Sequence, residues 1–145
     1  MQSTAERLSD VVARACPKLG AVRDPAAPVL SGGWSSKQVL GHLIDSAVNN
    51  HQRFVRAAIE GGLRWPGYDQ NGCVRVESFQ DAPWPLLIDA WSGLNRLLVH
   101  ILERLPAEAA AAPCAIGDDP AVPLRELAES YVNHLEHHLA QIGGR

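Results

Sequence analysis

Two histidines, His134 and His138, stand four residues apart on what should be the buried stripe of the C-terminal helix, in YVNHLEHHLAQI. Leu127, Tyr131, Leu135 and Ile142 recur with helical spacing and mark that stripe as core-facing. Imidazole nitrogens placed there cost free energy unless something pairs with them, so any fold of this chain must bring a partner to that face. Side chains at i and i+4 project together, close enough to share one metal ion. A hydrogen-bonded pair of core histidines is the plain alternative, and spacing alone leaves both readings open.

A third histidine, His42, lies in WSSKQVLGHLIDSAVNNHQRF, a second strongly helical segment. Taken alone, its stripe with Asp45 and Asn49 reads as a solvated face. Turned toward the core, the same stripe would supply a third imidazole, with Asp45 and Asn49 placed to orient it. A ligating imidazole normally donates its other N–H to a carboxylate or carbonyl. Three protein ligands with open positions suit a metal that handles water or substrate better than a closed structural site.

Four helices follow from the pattern, and no segment reads as a strand. The first spans about Ser3 to Lys18, with Ser3 and Glu6 as a capping box and Leu8, Val11, Val12, Ala15 and Leu19 on one face. The second spans about Ser35 to Glu60. Ser35 and Gln38 form its capping box, Trp34 and Val39 a hydrophobic staple, and Gly61 with Gly62 the stop. The third spans about Trp84 to Leu105, with Asp81 as cap and a core face of Leu87, Ile88, Trp91, Leu94, Leu98, Ile101 and Leu105. The fourth spans about Leu124 to Ile142 and stops at Gly143 and Gly144; Val122 and Pro123 give it no recognisable cap. About twenty residues join the second helix to the third, and a similar stretch joins the third to the fourth. Antiparallel neighbours need only a few residues, so these lengths predict crossovers. The segment WPGYDQNGC is expected to cover one end of the bundle, with Asp69, Gln70 and Asn71 serving turn chemistry.

The 145 residues predict one domain, 1–145. Hydrophobic residues at 46% and charged residues at 20% are ordinary for a soluble globular chain and argue against disorder. A net charge of -3 without a run of Lys or Arg argues against nucleic acid. No apolar stretch approaches the length of a membrane span, and MQSTAERLSD lacks the features of a secretory signal, which makes the cytoplasm the expected location. Cys16, Cys73 and Cys114 form no CxxC pair and no disulfide framework. Cys73 is the better candidate for a reactive thiol, although nothing beside it would lower its pKa. No Ser-His-Asp order, phosphate loop or HExxH motif is present. His137 belongs to a polar face with Ser130, Asn133 and Gln141. His100 reads as surface, and His51 lies on a second apolar face that is either core or a dimer contact.

The blocks WSSKQVLGHLIDSAVNNHQRFVRA, PGYDQ and YVNHLEHHLAQI, in this order and at these separations, resemble the DinB/YfiT-like superfamily of metal-dependent enzymes. The resemblance covers most of the chain. It implies an all-α four-helix bundle with long crossover connections and a divalent metal on one histidine of the second helix and two of the fourth. Carried over by motif, these are His42, His134 and His138. The ion could be zinc, nickel, iron or manganese, because imidazole accepts several first-row metals. Members of the family often form homodimers.

Some members resemble S-transferases that use low-molecular-weight thiols such as bacillithiol, mycothiol or glutathione, and others are described as hydrolases. The expected activity is therefore attack on a small-molecule substrate by water or by such a thiol, with thiol transfer slightly ahead of hydrolysis. No catalytic side chain stands out. Arg53, Arg56, Arg64 and Tyr68 are expected along a thiol pocket. A non-catalytic metal-binding or oligomerisation module is the remaining alternative, with Asp45 or Glu136 closing the coordination.

Overall fold

The computed structural model describes residues 1–29 and 33–142. Four long helices form the bundle: α1 (Gln2–Gly20), α2 (Ser36–Glu60), α4 (Trp84–Arg104) and α5 (Leu124–Leu139). A short helix α3 (Gln70–Val76) and three short strands, β1 (Leu63–Trp65), β2 (Pro113–Ile116) and β3 (Val122–Pro123), occupy the two long connections. Both α1 and α2 pack against α4 and α5, which puts α1 and α2 across one diagonal and α4 and α5 across the other. The long α4–α5 connection spans a diagonal, as its length predicts, whereas the long α2–α4 connection joins helices that pack directly and makes no crossover.

The best-specified helix is α2. Ser35 Oγ accepts from the Gln38 amide while Gln38 Oε1 accepts from the Ser35 amide, so the capping box closes in both directions. Its far end turns off at Gly61, whose φ of 70° lies in the left-handed region that favours glycine. Gly41 sits inside this helix for a packing reason. A Cβ there would come within 2.2 Å of the Phe79 ring, so its absence lets the turn before α4 close down one residue from His42.

The caps predicted at Ser3 and Asp81 fail, while a proline does stand in the first turn of α4. α1 starts at Gln2 with no side-chain cap, leaving Ser3 exposed inside its first turn. Pro83, not Asp81, stands at the N-cap of α4, and Asp81 ends a 3-10 turn. The buried stripe of α4 is Leu87, Trp91, Asn95, Leu98 and Leu102, with Ile101 and Leu105 only partly covered at its edge. α5 ends at Leu139, and the stop expected at Gly143 and Gly144 lies outside the described residues.

The expectation of no strands is overturned. β1 pairs in parallel with β2, Leu63 opposite Cys114, and β2 pairs antiparallel with β3, Cys114 opposite Val122. Strands of two to four residues are too short for an alternating pattern to register. They explain how α5 begins. The Leu124 amide, an orphan donor of the first turn, donates to Ala112 O at 2.9 Å, so the ladder runs into the helix and replaces a side-chain cap.

The core is apolar with one polar tie. Leu8, Leu19, Leu40, Leu43, Phe54, Trp91, Leu98, Leu102, Leu124 and Leu135 are fully buried, each worth about 1.5–3 kcal/mol by removal from water. Within it, Tyr131 Oη donates to Asn95 Oδ1 at 2.6 Å, and Asn95 Nδ2 donates to Trp91 O at 2.8 Å. This bond links α5 to α4 across the bundle, and Phe54 packs edge-on against the same tyrosine with ring centres 6.0 Å apart. Among the described residues no helix is long and apolar enough to cross a membrane.

Candidate metal centre

The packing of α2 against α5 brings His42 to His134 and His138. His42 is 1% exposed, and the other two are half-buried at the edge of the apolar stripe rather than within it. His42 Nε2 lies 3.0 Å from His134 Nε2. The ring centres are 4.9 Å apart for His42 with either partner and 4.6 Å apart for His134 with His138. One ring nitrogen from each lies within 4.8 Å of the others, and the group could hold a metal ion.

The donor set fits such an ion. Imidazole binds metals only when neutral. Burial first, then the neighbouring histidines, pull His42 and His134 down to about 4, so both are neutral at pH 7. Four-coordinate Zn–N bonds of 2.0–2.1 Å would separate two nitrogens by roughly 3.3 Å, a few tenths of an ångström from the spacing that His42 and His134 already have. His138 Nδ1 donates to Gln141 Oε1 at 3.0 Å, which leaves its Nε2 lone pair free for the cluster. His42 Nδ1 is buried without a partner, and the Trp34 ring lies 5.2 Å from the His42 ring. Direct hydrogen bonding satisfies this trio poorly, which is what separates it from an ordinary pair of core histidines.

Asp45 and Asn49 do not orient these imidazoles. Among the described residues neither hydrogen-bonds to any of the three, and Asn49 Nδ2 donates to Asp45 O at 2.9 Å within its own helix. Asp45 is buried toward α3, with one carboxylate oxygen unpartnered. Burial first, then the adjoining Glu77 carboxyl, push it up to about 7. A folded-state pKa above the unfolded value gives stability that is complete below about 3.8 and lost as pH rises through 7. Asp45→Asn is therefore expected to leave stability near wild type at about pH 3.5 and to raise it by about 1–2 kcal/mol at pH 8, Glu77 being exposed and partly screened. Urea unfolding at the two pH values checks this. An equal effect at both would remove the buried carboxylate as the cause.

A cavity of about 290 Å³ adjoins His134, lined by residues of α2, the β1–α3 loop, β2 and α5. Of the arginines and tyrosine expected along a pocket, Arg53 and Tyr68 line it. Arg56 instead lies over the Trp65 ring, 5.1 Å from its centre, and Arg64 is exposed on β1. Ser46, Asn50 and Ser130 also line the cavity. The inward stripe of α2 is thus His42, Ser46, Asn50 and Arg53, all buried. Its i, i+4, i+8, i+11 spacing was available to periodicity reasoning, but the choice of Asp45 and Asn49 placed it one position off.

Cys73 is half-buried in α3, and burial, then the carboxylates of Asp45, Glu77 and Asp69, raise its pKa, the reverse of thiol activation. Asp69 caps α3 by accepting from the Gly72 amide at 2.9 Å, the turn chemistry predicted for it. His137 and His100 are exposed, as read from the pattern. The second apolar face of α2 is not core: His51 and Val55 are half-buried and Val48 is 48% exposed. Glu136 pairs with Arg7 at the surface and does not join the histidines.

Fold and cluster together define a four-helix-bundle protein with a three-histidine group between its second and last long helices. The DinB superfamily pattern matches residues 1–142, and the chain belongs to that superfamily. A protein of Bacillus pumilus (strain SAFR-032) named "Putative metal-dependent hydrolase" is 34% identical over 116 residues, 79% of this chain and 66% of the relative. One of the same name from Geobacillus thermodenitrificans (strain NG80-2) is 28% identical over 116 residues, 79% of this chain and 65% of the relative. The chain spans slightly less than two thirds of the length of these curated relatives.

Among solved structures, YfiT from Bacillus subtilis, described as a "probable metal-dependent hydrolase with an unusual four-helix bundle topology", superposes with a TM-score of 0.86. Its identity is 23%, over 98% of this chain and 83% of that one. A mycothiol-dependent maleylpyruvate isomerase superposes with a TM-score of 0.82 at 12% identity, over 97% of this chain and 60% of that one. At these identities the two structures show a shared fold.

Proposed function

We propose that His42, His134 and His138 hold one divalent metal ion and that the chain is a metal-dependent enzyme acting on a small molecule in the adjoining cavity. The observation that carries this reading is the convergence of three imidazoles, one without a partner for its buried Nδ1, beside a polar cavity that reaches His134. The names of the curated relatives support hydrolysis. The ion, which could be zinc, nickel, iron or manganese, would supply Lewis acidity, lowering the pKa of a nucleophile and polarising the bond under attack.

The remaining work falls to the protein. Gln141 fixes the ring of His138 through Nδ1. Tyr68, pushed up to about 12 by burial and then by Asp45, stays protonated at neutral pH and can donate from its hydroxyl into the cavity. Thiol transfer is the second reading, favoured by a specific feature. Among the described residues no carboxylate joins the three histidines to act as a base, and a low-molecular-weight thiol, which ionises far more readily than water, needs one less.

Two assays separate the readings. Metal-loaded protein is given monochlorobimane with bacillithiol, mycothiol or glutathione, and separately a panel of activated esters and amides. Hydrolysis predicts ester or amide turnover abolished by chelation and by His42→Ala. Transfer predicts a bimane rate above the thiol-only background with the same dependences. Silence in both assays from fully loaded protein would favour a non-catalytic module.

A homodimer and a cytoplasmic location belong to the same proposal. Val48 and Val55 on the outer face of α2 support the first, and three free cysteines support the second. Velocity sedimentation showing only monomer at micromolar concentration would remove the dimer.

A further inference from the structure

Arg53 lies in the cavity wall, eleven residues along α2 from His42 on the same inward stripe, and is only 8% exposed. Among the described residues nothing ion-pairs with it, the ion pairs there being those of Arg7, Arg14 and Arg104. Its Nε is buried with no hydrogen-bond partner. Burial lowers the pKa of the guanidinium, but arginine does not discharge in proteins. Its ionisable neighbour Tyr68 is neutral at pH 7 and provides no counter-charge. A guanidinium whose Nε is buried without a partner, in the wall of an open polar cavity, is placed to receive an anion from outside.

We propose that this cavity is a carboxylate-binding pocket, in which Arg53 grips the single anionic group of the small-molecule substrate and holds the rest of it against His134. The inference rests on the metal-dependent reading of the site and adds the substrate class to it. The guanidinium fork matches a planar carboxylate through two parallel N–H···O bonds. Ser46, Asn50 and Ser130, on the same walls, offer neutral hydrogen-bonding groups for its remaining lone pairs. Among the described residues Arg53 is the one arginine or lysine in the lining, and its planar fork suits a planar carboxylate.

The test is titration of metal-free protein with benzoate, benzamide and methylphosphonate, followed through the Arg53 Nε–Hε resonance in 15N-labelled wild type and repeated with Arg53→Met and Arg53→Lys. Metal content is measured in parallel. The expected result is saturable movement of that resonance with benzoate, none with benzamide and less with methylphosphonate. Affinity for benzoate should fall at least about tenfold in Arg53→Met while metal content stays at the wild-type level. Equal benzoate affinity in Arg53→Met, a static Arg53 resonance, or tighter binding of methylphosphonate would overturn the proposal. Should Arg53→Met not fold, the wild-type resonance and the lysine variant decide. Benzoate binding retained in a His134→Ala/His138→Ala protein that holds no metal supports this inference, whereas metal bound in that variant would contradict only the three-histidine reading.

Discussion

Trp91→Ala will destabilise the protein by about 3–5 kcal/mol, a large share of the roughly 5–15 kcal/mol that holds a domain of this size together. Trp91 is the largest fully buried side chain, at 0% exposure in the middle of α4. Truncating it removes both the transfer free energy of the indole and the contacts of every atom that lined it. One term acts in the other direction. The indole Nε1 is buried without an acceptor, so its removal relieves an unmade hydrogen bond worth about 1–3 kcal/mol. Trp91→Phe separates the two. It keeps an aromatic ring and deletes the N–H, and should cost less than the change in volume alone implies. Urea unfolding at unchanged m-value checks both variants. A loss below about 1 kcal/mol for alanine would mean that the bundle collapses into the space, and that α4 is packed more loosely than its burial indicates.

His42→Ala will weaken metal binding at the proposed centre by more than about 100-fold, beyond the 10–100-fold typical of losing a supporting group around a metal. The reason is geometric. His134 and His138 are neighbours on one helix and alone offer two nitrogens on one side of an ion. His42 is the ligand that α2 brings from across the packing interface, 3.0 Å from His134 and 1% exposed. The substitution should spare the fold, because His42 hydrogen-bonds only to His134 and has a second nitrogen with no partner to lose. Competition with a chromogenic chelator measures the affinity, and circular dichroism confirms the fold. Unchanged affinity would move the ion elsewhere.

Local chemistry is readable at α2, though not at the caps of α1 and α4, and long-range pairing is not readable at all. The Ser35–Gln38 box and the Gly61 stop are decided within a few positions, and both stand in the structure as the sequence implies. α5 shows the opposite case. Nothing around Pro123 announces a helix, because its first turn is satisfied by Ala112 O through a sheet whose parallel partner, β1, lies about fifty residues upstream. The same divide runs through the candidate site. Helical spacing alone pairs His134 with His138, while His42 reached the cluster through the family resemblance, since only the packing of α2 on α5 makes it a neighbour.

Arg53 and Tyr68, expected as wall residues, line the cavity, whereas Asp45 faces Glu77 just after α3. On a helix of 3.6 residues per turn, Asp45 and Ser46 are separated by a rotation that sequence cannot fix until the partner helices are placed. The buried stripe that ends at Arg53 settles that rotation.

The most direct measurement is elemental analysis of purified, untagged protein by plasma mass spectrometry beside a His134→Ala/His138→Ala variant. Three converging imidazoles predict close to one equivalent of a first-row divalent metal per chain in the parent and none in the variant. A parent that holds no metal after reloading and dialysis, or a variant that holds as much as the parent, would contradict the metal centre and return the histidines to the packing of the bundle.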